Sequence, residues 1–229
     1  MDLCKTPNIR SPKPSFTIIE DGTAKVTGYN NYVITKDDLI PDNINKNAFK
    51  YDNLKSYLTP ARLTGKSVLD IGCGTGFWSI LASRNGADCV TAIDIDASHI
   101  NTMNDAIYYF NIKNINGSVT DIKNYSIRHD IVLALAIVHW IYSCTTVMSS
   151  LENMINHLRS LTGEFILIEW IGPDDSAVKS FGHLTYNERL TDKKYTREEF
   201  LKALSYHFPN CKLIGEGSRP GRELYYAHV

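Results

Sequence analysis

Cysteine is scarce in this chain and never paired as CxxC. Cys4, Cys73, Cys89, Cys144 and Cys211 are odd in number and widely spaced, which argues against a disulfide framework and a structural zinc site and predicts a reducing compartment. Long apolar runs are missing too. The longest, Ile131 to Val138, is far short of the roughly 20 residues a membrane-spanning helix requires. Neither sign of charge dominates: 24 Lys and Arg stand against 25 Asp and Glu, so composition does not support a nucleic-acid partner. The opening MDLCKTPNIRSPKPS lacks the apolar core of a signal peptide. A cytoplasmic protein with no membrane insertion is the expectation.

What is present suits a packed domain. At 229 residues and 43% hydrophobic, the chain is long enough for one substantial core and short for two. Pro7, Pro12 and Pro14 mark residues 1–24 as a tail or linker. Residues 25–229 are expected to form one domain, with 25–65 as an N-terminal cover and 66–229 as a ligand-binding core. In the cover, 45–58 looks helical and 25–35 looks like a strand or ordered loop over the ligand edge.

From residue 66 onward, short apolar runs alternate with segments of helical period, the pattern of βα units around a parallel sheet. Strands are predicted near 67–71, 89–93, 114–118, 130–137 and 164–171. Helices are predicted at 76–85, 97–110 and 145–161, the last behind a Thr145 cap. Thr196 and Glu199 form a capping-box pattern opening a helix to about Phe208. CKLIGEG and ELYYAHV, joined by SRPGR, predict an antiparallel hairpin at the end.

The stretch VLDIGCGTGFWSILA places Gly72, Gly74 and Gly76 where a strand turns into a helix. In open parallel sheets ligands bind beyond the strands' carboxyl ends, where such a turn exposes backbone N–H groups. Glycine there allows positive φ and close approach to the main chain. The spacing is D-x-G-x-G-x-G: residue 77 is Phe where a dinucleotide fingerprint has its third glycine, and no Gly-Lys-Ser/Thr of a P-loop follows. Asp70, just before the glycines, suits a cationic amino-acid group better than a pyrophosphate. Asp94 ends the second strand, where a carboxylate can accept both hydroxyls of a ribose. Asp121 follows the third strand and can accept from an adenine amino group, with Ile95 and Ile122 flanking the ring.

Three acids after three consecutive strands, carried by VLDIGCGTG, AIDID and VTDI, resemble the class I S-adenosylmethionine-dependent methyltransferases over roughly residues 66–171. The resemblance implies an α/β, Rossmann-like, doubly wound seven-stranded sheet, mostly parallel with an antiparallel terminal hairpin. It also implies S-adenosyl-L-methionine as cofactor and S-adenosyl-L-homocysteine as product. Asp70, Gly72, Cys73, Gly74, Gly76, Asp94, Ile95, Asp121 and Ile122 would form its site.

The fourth strand runs into Val138-His139-Trp140, where in this family the acceptor meets the sulfonium. No NPPY-type signature of amino-group nucleobase enzymes stands there, and no metal-binding carboxylate set is recognisable. A metal-independent transfer to oxygen follows. His139 is the candidate general base, since an alcohol must shed its proton as the new bond forms. Glu169, ending FILIEW, could assist it or hold the acceptor. Trp140, Trp170, Tyr29 and Tyr32 are candidate acceptor-lining rings.

GYNNYVIT, LALAIVHWIY, ILIEWIGPDD and RELYYAHV further resemble the nodulation-type sugar methyltransferases and the methyltransferase module of large-virus multidomain glycosyltransferases. That resemblance implies a deoxyhexose hydroxyl on a glycan as acceptor, and is compatible with the chain being one module of a longer glycosyltransferase. Nucleic acid is not the favoured partner. The competing readings are a methyltransferase acting on RNA or a small metabolite, and a catalytically silent cofactor-binding subunit.

Overall fold

The computed structural model describes residues 13–41, 47–144, 148, 150–181, 195–219 and 221–229. Among these the chain divides into two compact units: the first is drawn from residues 10–121 and 129–131, the second from 122–128 and 132–229.

The first unit opens with an antiparallel meander: β1 (Ser15–Glu20), β2 (Thr23–Thr27), β3 (Tyr32–Thr35) and β4 (Leu39–Pro41), paired in that order. The expected tail therefore ends earlier. Ser15 pairs with Thr27, and Phe16 packs on Tyr109 at 5.6 Å between ring centroids. The buried residues of β2 and β3, Ala24, Val26, Tyr32 and Ile34, alternate as one covered face of a strand pair requires. Helix α1 (Asn47–Leu54) is shorter than the predicted helix. It gives way to α2 (Pro60–Leu63), whose proline supplies a first-turn residue without an N–H to satisfy.

The βα units follow: β5 (Ser67–Ile71), α3 (Phe77–Arg84), β6 (Cys89–Asp94), α4 (Ala97–Tyr109), β7 (Ile115–Val119) and β8 (His129–Ala134). β5 pairs parallel with β6, and β6 with β7. The second unit holds α5 (Val138–Cys144), α6 (Leu151–Leu161), β9 (Thr162–Ile171), α7 (Ser176–Phe181), α8 (Arg197–His207), β10 (Asn210–Glu216) and β11 (Arg222–His228). The large sheet has seven strands in the order β10-β11-β9-β8-β5-β6-β7, with β11 antiparallel to both its neighbours. This is the doubly wound sheet with an antiparallel terminal hairpin that the sequence implied.

Two boundaries differ from expectation. The fourth core strand ends at Ala134 instead of residue 137, because Ala136 takes a left-handed φ of 57°. His139 and Trp140 consequently lie in the first turn of α5. α6 begins at Leu151 behind Ser150, whose hydroxyl accepts from the Asn153 amide at 3.1 Å. The Thr145 cap lies outside the described residues. The Thr196 cap forms as expected, accepting from the Glu199 amide at 3.2 Å.

Gly76 caps α3 with φ +87°, and a Cβ there would lie 2.4 Å from Met103 Cγ on α4. Strain and overpacking together should make Gly76→Ala cost about 2–4 kcal/mol. In a Met103→Ala background, urea denaturation should show that cost reduced to the backbone part, about 1–2 kcal/mol. Equal costs in both backgrounds would show that Met103 is not the obstacle.

Candidate active site

The glycine loop turns its donors inward. The amides of Gly72 and Cys73 both donate to the Ile93 carbonyl, at 2.8 and 3.1 Å. The Gly74 amide donates to Asp94 Oδ2 at 2.9 Å, and the Gly76 amide to the Cys73 carbonyl at 3.0 Å. These four N–H groups are consumed by the scaffold, which corrects the expectation that they face a ligand. Such a loop is a poor phosphate nest. At Gly74, with φ +54°, a Cβ would meet only Tyr29 Cβ, at 3.9 Å, so the backbone is open on that side.

The segment joining β2 to β3 clamps this loop. Thr75 Oγ1 donates to the Asn30 carbonyl at 3.0 Å, and the Tyr32 hydroxyl donates to the Thr75 carbonyl at 2.6 Å. Gly28 passes so close to Thr75 that a Cβ would lie 2.6 Å from its methyl. Tyr32 is fully buried and packs on Phe77; burial raises its phenol pKa. It therefore braces the loop and does not line an open acceptor site, because its polar tip is already bonded and its ring is enclosed. Tyr29, by contrast, is 44% exposed.

The acids differ in setting. Asp70 is buried and accepts from the Ser79 hydroxyl at 2.6 Å. Burial pushes its pKa up to about 6, against the lowering effect of the Ser79 bond and the Lys50 charge. Asp94 accepts from Gly74 through Oδ2 and from the Asp96 amide through Oδ1, also at 2.9 Å. Beside it Ile95 is 61% exposed, an apolar surface for a flat ring. Asp121 is half-buried, just after β7. Cys73 is buried, and desolvation holds its thiol protonated. Ile122 belongs to the second unit and is buried at the start of a one-turn 3₁₀ helix, its carbonyl 3.1 Å from His157 Nε2.

In the second unit, His139 on α5 is 3% exposed, its ring 5.5 Å from that of half-buried Trp140. Glu169, near the end of β9, is fully buried. A Cβ at Gly217 would fall 2.4 Å from Glu169 Oε1, so this turn can cross the carboxylate only as glycine. Glu169 stands opposite Leu224, and Trp170 opposite Glu223. Successive strand residues point to opposite faces. Trp170 thus leaves the face of Glu169 and stacks on Phe200 at 4.7 Å and on Tyr195. It is a core residue packed on α8, in contrast to its expected place among the acceptor-lining rings. On Glu169's own face, Arg222 binds Asp175 through two hydrogen bonds of 2.9 and 3.0 Å, both side chains 4% exposed.

Residues 68–160 match the model of a methyltransferase domain. The structure resembles magnesium protoporphyrin IX methyltransferase (ChlM) from Synechocystis PCC 6803 with bound S-adenosylhomocysteine. The TM-score is 0.58 at 18% identity, covering 80% of this chain and 83% of that one. It likewise resembles the N-methyltransferase NodS from Bradyrhizobium japonicum WM9, with a TM-score of 0.58 at 15% identity, covering 82% and 97%. The fold is that of the class I S-adenosylmethionine-dependent methyltransferases. Within this methyltransferase fold, local likeness reaches 52% over 66 residues with ribosomal protein L11 methyltransferase of Phocaeicola vulgatus, 29% of this chain and 24% of that protein. The chain spans only about a quarter of that relative's length.

The methyltransferase domain's residues suit this cofactor. Its ribose offers two donors, and Asp94 is an acceptor with lone pairs to spare; its ammonium and sulfonium are cationic, and the loop offers carboxylates with its amides withdrawn. Thr75, Asn30 and Ser79 escaped the sequence reading. A serine inside the apolar run FWSILA was the one signal for Ser79. Among the described residues no group of three or more His, Cys, Asp or Glu side chains is placed to hold a metal ion, and no helix is long and apolar enough to cross a membrane.

Asp70 gives a pH test. Folded Asp70 keeps its proton to about pH 6, whereas an unfolded Asp releases it near 3.9. Its contribution to stability therefore falls as pH rises through that window. A cation bound beside it gains as the carboxylate ionises. S-adenosylmethionine affinity should weaken below about pH 6, and Asp70→Asn should flatten that profile in calorimetry; an unchanged profile removes Asp70 from the binding site. Asp94→Ala should weaken S-adenosylmethionine and S-adenosylhomocysteine alike by about 1.5–3 kcal/mol. Loss confined to the methylated cofactor would place Asp94 near the sulfonium.

Proposed function

We propose that this protein is an S-adenosylmethionine-dependent methyltransferase whose acceptor is a sugar hydroxyl, on a deoxyhexose of a glycan, by a metal-independent displacement. The observation that carries the cofactor half is the glycine loop, with its amides spent on the scaffold and carboxylates left to meet a ligand that is cationic and bears a diol. When bound, S-adenosylmethionine supplies a methyl group already activated by its positive sulfur. Asp70, Asp94, Ile95 and Asp121 are assigned to hold the cofactor.

His139 and Glu169 are assigned the acceptor chemistry. His139 receives the hydroxyl proton as the new bond forms, the task an imidazole suits near neutrality. Glu169, enclosed beneath the turn at Gly217, is the carboxylate assigned to orient the base. α5 packs on β9, which carries that carboxylate. Trp140 offers a partly open ring for the apolar face of a sugar.

A second reading, transfer to an amine, is favoured by the same enclosed carboxylate, which would also stabilise a cationic acceptor. The two separate by substrate. Labelled methyl from S-adenosylmethionine should appear on oligosaccharides bearing rhamnose- or fucose-like units, in an alkali-stable ether. Label confined to amino sugars, protein or RNA would overturn the hydroxyl assignment. No transfer at all, with cofactor bound, would leave a silent binding subunit. For the base, His139→Ala should lower kcat about 10²–10⁴-fold while S-adenosylhomocysteine affinity stays nearly unchanged. A kcat near wild type with the same pH profile would make His139 structural.

A further inference from the structure

Strand β1 lies at the margin of its sheet. The meander runs β1-β2-β3-β4, and among the described residues β1 pairs only with β2. Opposed residues of an antiparallel pair share a face. Phe16 stands opposite Val26 and Ile18 opposite Ala24, and Val26 and Ala24 are fully buried. Phe16 and Ile18 thus continue the covered face of the meander, yet Phe16 is only half-buried and Ile18 is 51% exposed. Ile19, at the bulge after Ile18, is 57% exposed. The edge is held in place from α4: the Tyr109 ring packs on Phe16, and its hydroxyl accepts from the Gly22 amide at 3.3 Å, so both ends of the strand are tied. Natural edges are commonly blunted by charge within the strand, and Ser15, Phe16, Thr17, Ile18 and Ile19 carry none.

The charges flank this stretch with opposite signs: Lys13 before it, Glu20 and Asp21 after it, all exposed. A strand with that order complements itself when a second copy lies antiparallel. A two-fold axis at Thr17 sets Phe16 of one copy opposite Ile18 of the other and brings Lys13 to the other's Asp21, and the symmetry repeats each contact. We propose that β1 is an interface for a second copy of this chain: two β1 edges pair antiparallel about Thr17 and join two meanders into one continuous sheet. Phe16 and Ile18 of both copies then cover one another as aromatic and β-branched pairs. The flanking charges fix direction and register, because a parallel pairing would set Lys13 against Lys13 and Asp21 against Asp21. Pro14 and the bulge after Ile18 confine the pairing to the uncharged stretch.

Sedimentation equilibrium of the full chain, from micromolar towards millimolar concentration at low salt, tests it, with each variant checked for folding by circular dichroism. The mass should rise from one chain towards two. Ile18→Lys should weaken the dimer at least about tenfold, by placing a charge in both apolar pairs. Lys13→Glu and Asp21→Lys should each weaken it roughly three- to tenfold by setting like charges together, and the double variant, which restores opposite signs across the axis, should recover most of the loss. A single chain at every concentration, a dimer indifferent to Ile18→Lys, or a double variant no better than the single ones overturns the proposal. Should a variant not fold, the wild type decides by hydrogen exchange: amides between Ser15 and Ile19 should gain protection as concentration rises, and protection that stays constant overturns the proposal.

Discussion

The hydrogen bond from the Gly74 amide to Asp94 is the constraint on which the cofactor side of the molecule depends. It joins the loop after β5 to the end of β6, two strands already held parallel with Ile71 opposite Ile93. Ile93 adds its carbonyl as acceptor for two more loop amides. A loop fixed by three such bonds to its neighbour needs little ordering when a ligand arrives. The same bonds set what kind of ligand it is. With these amides withdrawn, the carboxylates of Asp70 and Asp94 suit cations and hydroxyls better than phosphate.

That preorganisation has a counterweight in Asp70. Its carboxylate lies buried between the Ser79 hydroxyl and the Lys50 charge, and desolvation outweighs both. A packed domain gains nothing from an acid in this position, since a neutral side chain of the same shape would avoid the penalty. A site that receives positive charge does gain. Strain of this sort clusters where function requires it, and Ala136, left-handed just after the fourth core strand, belongs with it: the strand stops short and a helix carries His139.

Much of this was legible because the signals are local. Glycine spacing, an acid at each strand end and the capping pattern at Thr196 each act within a few residues, and the core strands and terminal hairpin formed near where their patterns lay. β1 was hidden because most of its residues are exposed, so it shows no alternation of buried and open positions. The run from Ile131 to Val138 carries no mark of its break, since nothing in an alanine signals the left-handed conformation that Ala136 adopts. Tyr32 shows why aromatic residues mislead: a phenol needs a partner, and sequence cannot distinguish a sugar from the Thr75 carbonyl. Trp170 could have been excluded, because neighbouring strand residues cannot face the same side as Glu169.

The extent of the matched domain also explains why cofactor and acceptor are so unequally readable. The matched methyltransferase domain runs from 68 to 160, taking in the glycine loop, Asp94, Asp121 and His139. It ends before Glu169, the turn at Gly217 and the Arg222–Asp175 pair. The cofactor is one fixed molecule, and a short stretch with one geometry suffices to recognise it. Acceptors vary, and the groups that meet them hang on a strand, a helix and a hairpin turn brought together by the sheet's antiparallel end. Inserting β11 beside β9 sets Leu224 against Glu169 and Arg222 against Ile171, which is how a carboxylate and a guanidinium far apart in sequence come to share a face. The buried Arg222–Asp175 bonds then fasten that hairpin to the start of α7. The surroundings of Glu169 are thus a product of topology more than of local sequence.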